Sequence, residues 1–119
     1  MAKNSLLKSF VYAFQGLNYA WTERNFKLHI VSMCIAIGFG IYFSISLIEW
    51  TVIVICIGGV LALETMNTAI ENLVDKISPE RNELAGRIKD LSAAAVLIFS
   101  IAALIVGLIV FLPYILLLF

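Results

Sequence analysis

Four polar side chains recur at helical spacing along one stretch of the sequence, and side chains of these types could bind a divalent cation. Separated by three, four and four residues, they are Glu64, Asn67, Glu71 and Asp75. At about 100° per residue they fall within an arc of roughly 80° on one helix face. No basic residue lies between them, and carboxylates one turn apart repel each other unless a cation gathers them. These four residues, called the acidic stripe below, therefore predict a cation site.

An acidic stripe on a soluble helix is usually a solvated face without a site. The position of this stripe favours a different interpretation. The preceding segment, Trp50 to Leu63, is nearly all apolar, so the stripe begins where that segment would leave a bilayer. Ionisable residues near membrane depth are costly and commonly mark function. The sequence therefore predicts a functional site at a membrane surface.

The composition indicates a small integral membrane protein. The chain has 119 residues, of which 62% are hydrophobic and 13% are charged, and its mean hydropathy is +1.03. A soluble domain of this size could not bury so much apolar surface. We therefore expect an all-α integral membrane protein with one domain over residues 1–119.

The basic residues are confined to two regions, and their distribution predicts the topology. All eight lie before residue 28 or between residues 76 and 89: Lys3, Lys8, Arg24, Lys27, Lys76, Arg81, Arg87 and Lys89. Basic loops stay on the cytoplasmic side of a membrane, so both regions are expected there. The N-terminus would then be cytoplasmic and the C-terminus outside, with three spans between them.

Four helices are expected to position the stripe. Residues 4–22 form an amphipathic helix that either lies in the cytoplasmic membrane interface or covers the base of the bundle. The three spans are expected at residues 30–48, 50–78 and 84–118, with an external turn at 44–49. A helix over residues 50–78 would be about 43 Å long, whereas a hydrocarbon core is about 30 Å thick. Its last third, which carries the stripe, is therefore expected to emerge into the cytoplasm.

Other polar residues are expected at the same membrane level as the stripe. Lys89 and Asp90 begin the third span, and Glu23 precedes the first. Glu23 belongs either to a junction whose basic residues meet lipid headgroups or to the site, and both interpretations stay open. His29 stands alone and is interpreted as a junction residue or packing partner without chemistry. Carboxylates beside a lysine suit phosphoryl transfer, in which a metal bridges phosphates and a carboxylate orients or deprotonates the attacking hydroxyl.

The common nucleotide-binding motifs are missing from the sequence. It contains no GxxxxGK[ST] loop, no glycine-rich kinase loop and no HRD or DFG element. If the protein uses ATP, it does so outside the common nucleotide folds.

The stripe and the charged pair that follows it resemble the prokaryotic diacylglycerol kinase family of small three-span membrane enzymes. The residues that carry the resemblance are Glu64-x-x-Asn67-x-Ala69-Ile70-Glu71-x-x-x-Asp75, Lys89-Asp90 and Ala93-Ala-Ala-Val96. The resemblance extends over essentially the whole chain. Within the family, Thr22-Glu-Arg-Asn-Phe-x-x-His29 is more similar to the undecaprenol kinase branch than to the diacylglycerol kinase branch.

This resemblance implies a kinase of the bacterial cell membrane that uses ATP and Mg2+ to phosphorylate the hydroxyl of a membrane lipid alcohol. Undecaprenol is the expected lipid, diacylglycerol is the alternative, and no nucleic acid partner is expected. The resemblance also implies a homotrimer whose sites lie between protomers at the cytoplasmic surface.

The resemblance further implies a role for individual residues. Glu64 would be the catalytic base, Glu71 and Glu23 would hold the Mg2+ ions that bridge ATP, and Asn67 would support this cluster. The implied ATP contacts are Tyr12, Glu23, Glu71, Asp75, Lys89 and Asp90.

Two hypotheses of other classes remain at this point. In a small cation-conducting or transport oligomer, the stripe carboxylates would line an ion path. Against this, the outer halves of the predicted spans contain no ionisable group except Glu49. A non-catalytic membrane assembly factor would explain the spans and leave the stripe without a purpose.

Overall fold

The computed structural model describes residues 2–80 and 82–119, with side chains from Ser5 onward. Its four helices are α1 (Ala2–Ala20), α2 (Arg24–Phe43), α3 (Leu47–Ile77) and α4 (Glu83–Leu116). The last three are long and apolar enough to cross a membrane. This confirms the predicted all-α fold with three candidate spans. Two of the basic residues used to predict the topology, Arg81 and the side chain of Lys3, lie outside the described part of the chain.

The helix α1 exposes most of its large apolar side chains. Half or more of the surface of each of these side chains is accessible: Leu6, Leu7, Phe10, Val11, Tyr12, Phe14, Leu17 and Tyr19. Among the described side chains of α1, from Ser5 onward, only that of its last residue, Ala20, is buried. A helix with this much uncovered apolar surface suits the interface of a bilayer, which is one of the two placements expected from the sequence.

The first candidate span differs from the predicted boundaries at both ends. The helix α2 starts at Arg24 instead of residue 30, so the polar segment before the apolar run is largely helical. It ends at Phe43 instead of residue 48 because Ser44 adopts a left-handed conformation with φ 51° and ψ 52°. A left-handed residue cannot continue a right-handed helix. The turn between α2 and α3 is therefore shorter than predicted and contains only residues 44–46.

The helix α3 begins with a capping box. The Ser46 hydroxyl accepts the Glu49 backbone N–H at 3.2 Å, and the Glu49 carboxylate accepts the Ser46 backbone N–H at 2.9 Å. The same carboxylate also accepts a hydrogen bond of 2.6 Å from the Tyr114 hydroxyl. Glu49, the one ionisable residue of the predicted outer halves, thus joins the start of α3 to the end of α4.

The helices enclose an apolar cluster near this end of the bundle. A buried apolar cluster of Ile45, Ile53, Val110 and Phe111 lies there. The Trp50 ring packs against Gly40, where an added Cβ would lie 2.6 Å from the ring. Trp50 therefore packs against α2. We call this end of the bundle the apolar end. The opposite end, where α2 and α4 begin and α3 finishes, is called the polar end.

Two adjacent glycines on α3 predict opposite effects of the same substitution. A Cβ at Gly59 would overlap the Phe99 ring of α4, whereas one at Gly58 meets no described atom within 4 Å. We expect Gly59→Ala to destabilise the protein by about 1–3 kcal/mol through overpacking. Gly58→Ala serves as the matched control and is expected to be neutral or to stabilise by up to about 1 kcal/mol. Thermal denaturation in detergent, followed by circular dichroism, measures both, and equal losses would contradict the α3–α4 packing.

Candidate active site

The acidic stripe runs from the interior to the surface of the molecule. Glu64 is 3% exposed and Asn67 is 6% exposed, while Glu71 is half-buried and Asp75 is exposed. In the described part of the chain, Glu64 and Asn67 are the only buried polar side chains. Buried polar groups are costly unless they are paired. The first half of the stripe is therefore not a solvated face.

Asn67 is held between α3 and α4 by two side-chain hydrogen bonds. The Ser92 hydroxyl of α4 donates to Asn67 Oδ1 at 2.6 Å, and Asn67 Nδ2 donates to Glu71 Oε1 at 3.1 Å. An ionised carboxylate can only accept, so the amide of Asn67 must turn its NH2 group towards Glu71 and its oxygen towards Ser92. Ser92 was assigned no role in the site from the sequence. The one signal in the sequence for this contact was the position of Ser92 three residues after Lys89, which puts both residues on the same side of α4.

Glu64 is paired with a residue to which the sequence assigned no chemistry. His29 Nε2 of α2 lies 3.6 Å from Glu64 Oε2, and the two side chains are 25% and 5% exposed. Glu71 and Glu23 also interact electrostatically with Glu64, each as a like charge. His29, interpreted from the sequence as a junction residue or packing partner, therefore lies against the most buried carboxylate of the stripe.

The three carboxylates of this region fit Mg2+ on their donor chemistry. Glu23 occupies the N-cap position of α2 with its side chain making no capping hydrogen bond, and it lies within electrostatic range of Glu64 together with Glu71. Among the described residues, no group of three or more His, Cys, Asp and Glu side chains is arranged to hold a metal ion. Mg2+ typically takes only one or two carboxylates and completes its shell with water and substrate phosphates. Glu23 and Glu71 would suffice for that role.

The surface end of the stripe pairs with α4. Lys89 Nζ donates to Asp75 Oδ1 at 2.8 Å, in an ion pair whose side chains are partly exposed. The structure thus joins two residues that the sequence had predicted separately as nucleotide contacts. Asp90 is exposed on α4 beside this pair, and Tyr12 is exposed on α1.

A large apolar cavity opens between α2, α3 and α4. Its volume is about 520 Å3, and its lining extends from Ile115 near the apolar end to His29 near the polar end. On α3 the last lining residue is Leu61, one turn before Glu64. We call this cavity the groove. An apolar chain lying in it would present its polar end to Glu64.

Known proteins match the chain over most of its length. A family model described as prokaryotic diacylglycerol kinase matches residues 11–111. The chain is 43% identical over 111 residues to the undecaprenol kinase of Bacillus subtilis (strain 168). The matched region covers 92% of this chain and 90% of that protein. It is 39% identical over 105 residues to a diacylglycerol kinase of Synechocystis, covering 87% and 60%. It is 35% identical over 101 residues to the diacylglycerol kinase of Escherichia coli (strain K12), covering 84% and 83%.

Proposed function

Since the chain belongs to the prokaryotic diacylglycerol kinase family and is a lipid kinase of the bacterial membrane, we propose that it transfers the γ-phosphate of ATP to undecaprenol. The observation that carries this proposal is the groove, whose polar end leads to the buried carboxylate of Glu64. A lipid alcohol needs both features, because its chain must stay in an apolar medium while its hydroxyl meets a base. The similarity to kinases also argues against the hypothesis of a cation-conducting oligomer.

Undecaprenol is favoured over diacylglycerol by two observations. Identity is 43% with the undecaprenol kinase and 39% and 35% with two diacylglycerol kinases. The groove is also mostly apolar, and its two hydroxyl groups are those of Ser100 and of Ser32, which donates to the Leu28 carbonyl at 3.1 Å. A polyprenol carries no polar group except its hydroxyl. Its chain therefore needs no hydrogen-bonding partner in the groove.

The lipid preference can be measured with labelled ATP. The purified protein in mixed micelles would be offered undecaprenol and diacylglycerol separately, at equal mole fraction. We expect faster phosphate transfer to undecaprenol. Faster transfer to diacylglycerol would keep the site and the kinase activity and would overturn the assignment of the lipid.

In the proposed reaction, Glu64 takes the proton of the lipid hydroxyl. The hydroxyl oxygen forms a bond to the γ-phosphorus, the bond from that phosphorus to the bridging oxygen breaks, and ADP leaves with the electron pair. Glu71 and Glu23 would hold Mg2+, which when bound neutralises charge on the phosphates. The groove fixes the depth of the hydroxyl, and such confinement raises its effective concentration at the base.

The nucleotide is proposed to bind at the surface end of the stripe. Lys89 supplies a positive charge for phosphate oxygens, and its exposed ion pair with Asp75 can exchange partners at small cost because such pairs contribute little. Asp90 and Tyr12 would complete the nucleotide contacts from α4 and α1. Among the basic side chains near this end, Arg87 already pairs with Glu83 at 2.7 Å.

We also propose a homotrimer with its N-termini in the cytoplasm. The most apolar 18-residue windows of the three spans are only 11%, 17% and 11% buried, which leaves broad faces for lipid and for other copies. A composite site between copies would bring further groups to Glu23, which one chain leaves exposed. The mass of the detergent-solubilised protein, corrected for bound detergent, tests the assembly, and a monomeric active enzyme would contradict it.

Removing the Ser92 hydroxyl is expected to lower turnover moderately. In Ser92→Ala, the Asn67 amide loses the bond that fixes its orientation and can turn away from Glu71, so we expect turnover to fall about three- to tenfold. The control Thr51→Val removes a hydroxyl that only bonds to the Leu47 carbonyl near the apolar end, and it should leave turnover unchanged. If the turnover of Ser92→Ala equals that of Thr51→Val, the hydrogen-bonded chain from Ser92 to Glu71 has no part in the reaction.

A further inference from the structure

His29 lies where the groove meets the buried carboxylate. It is the first groove-lining residue of α2, and its Nε2 is 3.6 Å from Glu64 Oε2. The rest of the described groove lining is apolar except for Ser32, Ser100 and Cys56. An imidazole costs more to place beside an apolar groove than a leucine of similar size would, unless it is paired. The pairing with Glu64 accounts for its presence.

We propose that His29 is a positioning residue that orients the Glu64 carboxylate towards the lipid hydroxyl arriving through the groove. This inference rests on the proposed role of Glu64 as the base. With a proton on Nε2, the ring can donate to Oε2 and so leaves Oε1 to receive the hydroxyl proton. A distance of 3.6 Å is longer than a hydrogen bond, yet catalytic contacts of this kind often tighten only when substrate is bound.

The like charges around Glu64 explain why its orientation needs an anchor. Glu71 and Glu23 both repel its carboxylate, and repulsion alone would turn the group away from the phosphate-binding side. Among the described side chains that interact with Glu64, His29 is the only hydrogen-bond donor. The ring keeps its proton during the reaction, because the hydroxyl proton goes to Glu64 and ADP leaves with the electrons of the broken phosphorus–oxygen bond.

Two substitutions at His29 separate positioning from packing. His29→Leu fills the same apolar space without a donor, and we expect its turnover to fall about 10- to 100-fold, as for loss of a hydrogen bond to a charged group. The KM for ATP should stay as in the parent protein. His29→Gln restores an N–H donor at similar reach, and we expect it to recover turnover to within about threefold of the parent.

The experiment measures phosphate transfer to undecaprenol by the full-length protein in mixed micelles. Cys34→Ala, which alters an exposed α2 side chain outside the groove, is the matched control and should behave as the parent. Parent-like turnover in His29→Leu would overturn the inference alone. Equal losses in His29→Leu and His29→Gln, accompanied by lower denaturation temperatures, would assign His29 a structural role and also overturn it. A parent protein that phosphorylates no lipid alcohol would overturn the proposed function and this inference with it.

Discussion

Glu64→Gln is expected to lower turnover by at least about 100-fold, the loss typical when a general base is removed. The amide has the same shape and can still accept a hydrogen bond from His29, but it cannot take the proton of the lipid hydroxyl. Glu64 is 3% exposed, and burying a neutral amide costs less than burying a carboxylate surrounded by like charges. The variant should therefore be at least as stable as the parent.

The control for Glu64→Gln is Glu80→Gln, which neutralises an exposed carboxylate between α3 and α4. Turnover is measured as label transferred from ATP to undecaprenol, and stability as the thermal denaturation temperature. Near-parent turnover in Glu64→Gln would show that another group is the base. A strong loss of stability would show that the carboxylate serves the fold.

Glu71→Gln is expected to cause a second large loss, with a different signature. Its side-chain oxygen can still accept from Asn67, as Glu71 does at 3.1 Å, so the hydrogen bond that holds the two residues is kept. The variant loses the negative charge proposed to bind Mg2+. We expect turnover to fall by at least about 100-fold at a fixed Mg2+ concentration, and more Mg2+ to be needed for half-maximal turnover.

A titration of turnover against Mg2+ distinguishes this role from that of Glu64. We expect the turnover of Glu71→Gln to recover partly at high Mg2+ and the turnover of Glu64→Gln not to recover. Full activity of the parent protein under chelation would contradict the metal role of both Glu71 and Glu23.

Much of the site followed from local sequence patterns. The spacing of Glu64, Asn67 and Glu71 predicts their common face because helical geometry alone determines it. The apolar run before Glu64 places the stripe near one end of a span. Both properties depend on residues within one helix, and the structure has this arrangement.

The features that sequence reasoning missed depend on contacts between helices. His29 meets Glu64, and Ser92 meets Asn67, across distances in sequence of 35 and 25 residues. No pattern within α2 or α4 reveals the register that produces these contacts. The early end of α2 was missed for another reason, since the left-handed conformation of Ser44 is rare for a serine. Sequence patterns therefore predicted which helix face carries the candidate site residues and left the side chains that contact them unidentified.

Photolabelling can determine whether the groove leads the lipid alcohol to Glu64. A polyprenol analogue with a photoreactive group beside its hydroxyl would be irradiated with the purified protein, and the labelled residues identified by mass spectrometry. We expect adducts at His29, Ser32 and Leu61, at the polar end of the groove, and loss of these adducts when excess undecaprenol competes. Adducts confined to exposed residues outside the groove, such as Leu97 and Ile98, would show that the lipid alcohol does not enter the groove.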